Sequence, residues 1–195
     1  MAGVDIGPCN GSWNKLFKTS LKAFKTFKNF LLLTDGDTSI PDGLQDKITL
    51  FFQRCLWHIP HQLKFVLGKD KKQVPRKSKD WLYILSEVLE ICAIRSGVEE
   101  EEIIREMIAS KTKRLEEVIA YCQKKKYKAT AAYLQNARAD LFTARSNRLQ
   151  EKTTSKVERL FRTVNMRIDV GKWSTTGGLN VTKIWLAYYY NGFDA

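Results

Sequence analysis

The sequence predicts an all-α protein: two packed helical subdomains joined by a basic linker, with a C-terminal helical region. Three observations predict it. Apolar residues recur at three- and four-residue steps along most of the chain, only 11 glycines and 4 prolines punctuate it, and 195 residues suffice to bury roughly 70% of the unfolded surface. The expected divisions are 1–68 (N-terminal helical subdomain), 69–80 (basic linker), 81–151 (middle helical subdomain) and 152–195 (C-terminal helical and aromatic region).

Residues 12–33 carry Trp13, Leu16, Phe17, Phe24, Phe27 and Leu31 on one arc, with Lys15, Lys18, Lys22, Lys25 and Lys28 on the other. That pattern predicts a basic amphipathic helix. Two breaks follow, at Thr34–Asp37 and Ile40–Gly43, and Leu44, Ile48, Phe51, Phe52, Cys55 and Leu56 then predict a second helix over 44–57 that stops near Pro60. A short third helix is expected over His61–Leu67. The stretch Gly68–Asp80 is charged, interrupted by Pro75 and nearly free of apolar residues, hence the linker.

Beyond it, Asp80 is a candidate N-cap for a helix carrying Trp81, Ile84, Leu85, Val88, Leu89 and Cys92, stopped by Ser96–Gly97. Glu99–Glu102 then places carboxylates at the positive end of a long helix running toward Lys124–Lys126, in agreement with the helix dipole. Helix dipole compensation accounts for these glutamates without a metal ion. Residues 129–151 predict a further helix, and Ser155 with Glu158 has the spacing of a capping box opening the next one. After Thr176–Gly178, the segment Leu179–Tyr190 fits both helical and strand periodicity and is assigned to helix by consistency with the rest of the chain.

The 33 basic residues against 21 acidic ones leave +12, a surplus that suits a polyanion such as nucleic acid or an anionic membrane. It is segregated: 14 bases against 7 acids leave +7 in 1–80, 9 against 9 cancel in 81–128, and 10 against 5 leave +5 in 129–195. No apolar run approaches the ~20 residues of a membrane span, and no secretory or lipidation signal is read, so membrane contact is expected to be peripheral. Cys9, Cys55, Cys92 and Cys122 lack paired spacing, which suggests reduced thiols and disfavours a secreted helical cytokine. The sequons at Asn10 and Asn180 are expected to be unmodified.

Enzyme chemistry finds little footing. His58 and His61 are the only histidines, no Walker loop, dinucleotide fingerprint or nucleophile elbow occurs, and no catalytic residue or cofactor is assigned. Cys55, His58 and His61 have a spacing that soft metal ligands use, but the run contains Pro60 and lacks a fourth adjacent ligand. A packed cysteine and two solvated histidines are the preferred reading, and no metal is assigned.

The basic residues are more informative. Lys15, Lys18, Lys22, Lys25 and Lys28, together with Lys69, Lys71, Lys72, Arg76, Lys77 and Lys79, are the candidate lipid- or phosphate-binding set, each near-surface cation being worth on the order of 1 kcal/mol against anionic lipid. For the lysine stripe, a core-facing aromatic arc with a solvated basic back is preferred to insertion, and both permit adsorption. Arg145, Arg148, Lys152, Lys156 and Arg159 form a weaker stripe suited to RNA phosphate if helical phase persists.

The order of features resembles an orthomyxovirus-type matrix protein, such as a divergent one from a fish-infecting member, most strongly over about residues 44–127. Lys47–Phe52, Ile59–Pro60 and Phe65–Gly68 are similar to that family's apolar helix, proline break, second helix and polar linker, and Leu85–Cys92 with Ser96–Val98 to its middle domain. The resemblance implies a structural protein without turnover, forming an oligomeric layer beneath the virion envelope. Its implied partners are anionic phospholipid, copies of itself, viral ribonucleoprotein or RNA, and envelope-protein tails; its implied locations are the virion, the cytoplasmic face of the host plasma membrane and the host nucleus. The basic linker precedes the middle-domain helix and Cys55–His61 lies in the N-terminal half, so neither the family's nuclear-import role nor a zinc function is carried over. The alternative is an RNA-binding regulatory protein without sequence preference.

Overall fold

The computed structural model describes residues 29–36, 49–72, 74–94, 100–148, 162 and 174–191. The chain divides into two compact units, one formed by 31–36 and 51–154 and the other by 1–30, 37–50 and 155–195. Among the described residues the fold is mostly helical, with one two-stranded sheet.

The strands β1 (Asn29–Thr34) and β2 (Thr49–Arg54) replace the ends of the two helices expected over 12–33 and 44–57. Each contains a short apolar run, Phe30–Leu33 or Leu50–Phe52, and runs of this length satisfy a strand as readily as a helix. After β1 the chain turns at Gly36, whose φ of +115° is open to glycine; Thr34 Oγ1 accepts its N–H at 3.0 Å, and a Cβ there would meet the Arg54 guanidinium at 2.9 Å. The polar end of β2, Gln53 and Arg54, is buried. Gln53 Nε2 donates to the Leu141 carbonyl at 2.7 Å while its Oε1 accepts from Ala144 N–H at 2.9 Å, and Arg54 pairs with Asp140 at 3.5 Å.

Helix α1 (His58–Lys69) starts earlier than expected and carries Pro60 in its first turn, where the missing N–H has no intrahelical partner to lose. Proline therefore opens this helix, where the sequence reading had it closing one. Its face of Ile59, Leu63 and Leu67 packs on α2 (Lys79–Cys92), which buries Ile84, Leu85, Val88 and Ile91. The N-cap of α2 is Ser78, whose Oγ accepts Trp81 N–H at 3.2 Å; Asp80, the expected cap, lies in the first turn. Helix α3 (Glu101–Lys124) begins with Glu101 and Glu102 as the dipole argument expected. It ends in a Schellman-type turn: Tyr127 N–H reaches Cys122 C=O at 2.8 Å around Lys126, held at φ +64°.

The helix expected over 129–151 is two shorter pieces, α4 (Lys128–Arg138) and α5 (Thr143–Ser146). Their junction at 139–142 supplies Asp140 and the Leu141 carbonyl to β2, so the break serves the contact with the strand. Helix α6 (Thr175–Asn191), in the second unit, agrees with the helical assignment of the aromatic segment. It starts before the glycines, with Ser174 Oγ accepting Gly177 N–H at 3.1 Å.

One apolar core joins α1 through α4, from Leu56 and Ile59 through Ile84, Val88, Leu115 and Val118 to Leu134 and Phe142. Helices α1 and α2, on either side of 69–80, share this core, and Val74 of the segment itself is buried in it. Each such side chain contributes about 1.5–3 kcal/mol on burial.

Candidate functional site

Two acids fall within the basic segment, Asp70 buried and Asp80 half-buried, and both are held by partners outside the segment. Asp70 is 7% exposed; its carboxylate accepts Ala129 N–H at 3.2 Å, Thr130 N–H at 2.9 Å and the Thr130 hydroxyl at 2.8 Å, which caps α4 from a distance. Asp80 accepts the hydroxyls of Tyr121, at 2.9 Å, and Tyr127, with Lys125 Nζ 3.4 Å away. The tyrosine hydroxyls, Tyr127 first, hold the Asp80 carboxyl below its ordinary range against the opposing effect of burial, and Lys125 adds to them.

With these carboxylates engaged elsewhere, the cations around them are left without neutralisation. Lys69, Lys71, Lys72, Arg76, Lys77 and Lys79 are all exposed, and among the described residues none of them forms an ion pair. The tight turn closed by Ser78 N–H on Pro75 C=O, at 3.0 Å, holds Lys77 at φ +63°, a left-handed conformation that costs a non-glycine residue about 1 kcal/mol. The six expected positions are thus brought onto one corner of the unit, where α1 ends and α2 begins.

At the same corner lies a hollow of about 410 Å³ whose mouth carries Lys64, Lys71 and Arg76 and whose apolar lining includes Phe65, Leu67, Val74 and Trp81. Leu67 and Val74 belong to the buried core, whereas Phe65 is 78% exposed. A large apolar side chain in water beside uncompensated cations is the arrangement that interfacial proteins use: the ring enters an apolar layer while the ammonium groups stay among phosphates. Sequence reasoning missed Lys64, Phe65 and Trp81. The available signal was helical spacing, since Lys64 and Gly68 share one edge of α1 and Lys71 follows in the turn beyond Asp70.

Of the second basic stripe, only Arg145 and Arg148 fall among the described residues. Helix α5 stops at Ser146, Arg148 turns to φ +56°, and its guanidinium pairs with Glu101, which also takes Arg105 at 3.0 Å. Arg145 is half-buried beside them, at the edge of a hollow of about 250 Å³. One carboxylate thus compensates part of this charge. Lys15, Lys18, Lys22, Lys25, Lys28, Lys152, Lys156 and Arg159 lie outside the described residues.

Cys55 is buried ahead of α1, and His61 stacks on Trp57 with ring centroids 4.0 Å apart. Among the described residues no group of three or more His, Cys, Asp or Glu side chains is placed to hold a metal ion. Burial pushes the thiols of Cys92 and Cys122 up to about 12, which keeps them protonated and weakly nucleophilic. No described helix is long and apolar enough to cross a membrane. Against family models, curated proteins and solved structures, the chain finds no match.

Proposed function

We propose that this chain is a structural, matrix-type protein that adsorbs to anionic membrane, assembles into a layer and contacts ribonucleoprotein. The observation that supports it best is the exposed Phe65 ring beside the unneutralised Lys64, Lys71 and Arg76. Three cations at on the order of 1 kcal/mol each and one inserted phenyl ring at about 2 kcal/mol give an attraction that is sensitive to salt only in its first part. The matrix reading also draws on the sequence resemblance over about 44–127.

The test is co-flotation with phosphatidylserine vesicles across a salt series, paired with electron microscopy of the vesicle surface. Lys64→Gln, Lys71→Gln and Arg76→Gln together should lower partitioning by about 100-fold and reduce the salt dependence, leaving the part due to Lys69, Lys72, Lys77 and Lys79. Phe65→Ala should lower it by about 30-fold with the salt dependence unchanged. Replacing Lys15, Lys18, Lys22 and Lys25 by Glu tests the N-terminal stripe: retained flotation assigns adsorption to the Lys64–Lys79 corner, and abolished flotation moves it to the stripe. Tight RNA binding by a monomer, with no flotation and no surface layer, would replace this reading with the RNA-binding one.

A further inference from the structure

We infer that the hollow at the end of α1 is a discrete site for one anionic glycerophospholipid, its phosphate at the mouth and the start of an acyl chain against the floor. The inference rests on the membrane reading but is a separate claim, because a cationic surface adsorbs to a bilayer without selecting any single lipid.

Three features of the hollow carry it. The mouth offers two ammonium groups and a guanidinium, Lys64, Lys71 and Arg76, none of them compensated by a carboxylate among the described residues, and a guanidinium meets two oxygens of a phosphate in one plane. The interior is apolar and, at about 410 Å³, falls within the ~300–1,000 Å³ of small-molecule sites. Gly68 lines the hollow from the helix, and a Cβ built on it meets nothing within 4 Å, so the helix backbone itself leaves room for a ligand.

A ligand fitting all three has a negative head joined to an aliphatic tail. Inorganic phosphate would satisfy the mouth and leave the floor wet, and an uncharged lipid would fill the floor and leave the cations unanswered. Charge and apolarity are both met by an anionic phospholipid. The Trp81 indole lies in the lining, so occupancy has a local reporter.

Gly68 supplies the discriminating variant. Gly68→Leu adds a branched side chain into open space, removes no charge and replaces glycine by a stronger helix former, so it fills the hollow while favouring the fold. The probe is dihexanoylphosphatidic acid below its micelle concentration, titrated into the full chain and followed by the Trp81 indole N–H resonance, assigned with Trp81→Phe. The expected result is saturable one-to-one binding that moves this resonance, weakened at least 10-fold by Gly68→Leu and by Arg76→Gln. Inorganic phosphate and dihexanoylphosphatidylcholine should leave the resonance in place. Equal binding by Gly68→Leu, non-saturable binding, or the same shift with inorganic phosphate alone would overturn the proposal. The vesicle assay keeps the two claims apart. Vesicle flotation without short-chain binding sinks the pocket and leaves adsorption standing, and short-chain binding without flotation does the reverse.

Discussion

Asp70 is the residue on which the placement of the basic corner turns, and its replacement by alanine has a calculable cost. The side chain sits between Lys69 and Lys71 in sequence yet points into the core, where it takes three donors from the start of α4. Thr130 is fully buried, so in Asp70→Ala its N–H and hydroxyl lose their acceptor with no water to replace it, at about 1–3 kcal/mol each. Ala129 N–H is half-buried and costs less. The expected loss is about 4 kcal/mol, read as a fall of about 2 M in the urea midpoint for a slope near ~2 kcal/mol/M. Asp70→Asn keeps one carbonyl oxygen and should lose about half as much. Adding Thr130→Val to Asp70→Ala removes the stranded hydroxyl and should restore about 1 kcal/mol. A midpoint for Asp70→Ala within about 0.5 M of the parent would refute the argument that this carboxylate caps α4 across the fold.

Two further outcomes follow from the same geometry. A carboxyl made more acidic by its folded partners stabilises the fold above its unfolded value near 3.8 and gives that contribution up as pH falls through the lower folded value. Asp80→Asn should therefore lower stability at neutral pH and flatten the acid limb of a pH-stability profile below about 4; an unchanged acid limb would show that Tyr121, Tyr127 and Lys125 do not act on it. Lys126 occupies the left-handed position that ends α3, so Lys126→Gly should raise stability by about 1 kcal/mol in the same urea assay, and a decrease would show that the Lys126 side chain contributes more than its backbone conformation costs.

Helices with long periodic faces were legible in the sequence, and short apolar runs were not. The spacing of Ile84, Val88 and Ile91 leaves one face to bury, and α2 forms over nearly the expected span. Phe30–Leu33 and Leu50–Phe52 are too short for periodicity to decide between helix and strand, and what decides is tertiary: Cys55 N–H reaches Thr34 C=O at 2.7 Å, and Gln53 and Arg54 find partners near residue 140. Pro60 was misread for a related reason. Proline marks a helix boundary from either side, and only the packing of Ile59 and Leu63 shows that it opens α1. Of the candidate site, the cations from Lys69 to Lys79 were visible as a run, but a run carries no information on which acids nearby neutralise it. Asp70 and Asp80 would each have cancelled a lysine in a sequence count, and only the burial of Asp70 and the partners of Asp80, Tyr121, Tyr127 and Lys125, commit them elsewhere.

That withdrawal of acids bears on how such a corner works. If Asp70 and Asp80 both faced solvent with no other partner, each could neutralise one of the six cations of the segment, leaving a surplus of four. Burying Asp70 and tying Asp80 to Tyr121, Tyr127 and Lys125 leaves the cations uncompensated around one exposed ring, and on the membrane reading proposed above a single copy would be held by about 5 kcal/mol, a dissociation constant of about 0.2 mM. A corner of this strength holds a copy only briefly. On the same proposed reading, persistence would come from linkage: were neighbouring copies to contact one another, each rebinding event would be intramolecular, and avidity would rise by about 100-fold or more without any new lipid contact. Weak attachment per copy also lets misplaced copies leave before a layer locks. An adsorbing surface that must later order itself is therefore better built from unpaired cations and one phenyl ring than from a deeply inserted helix.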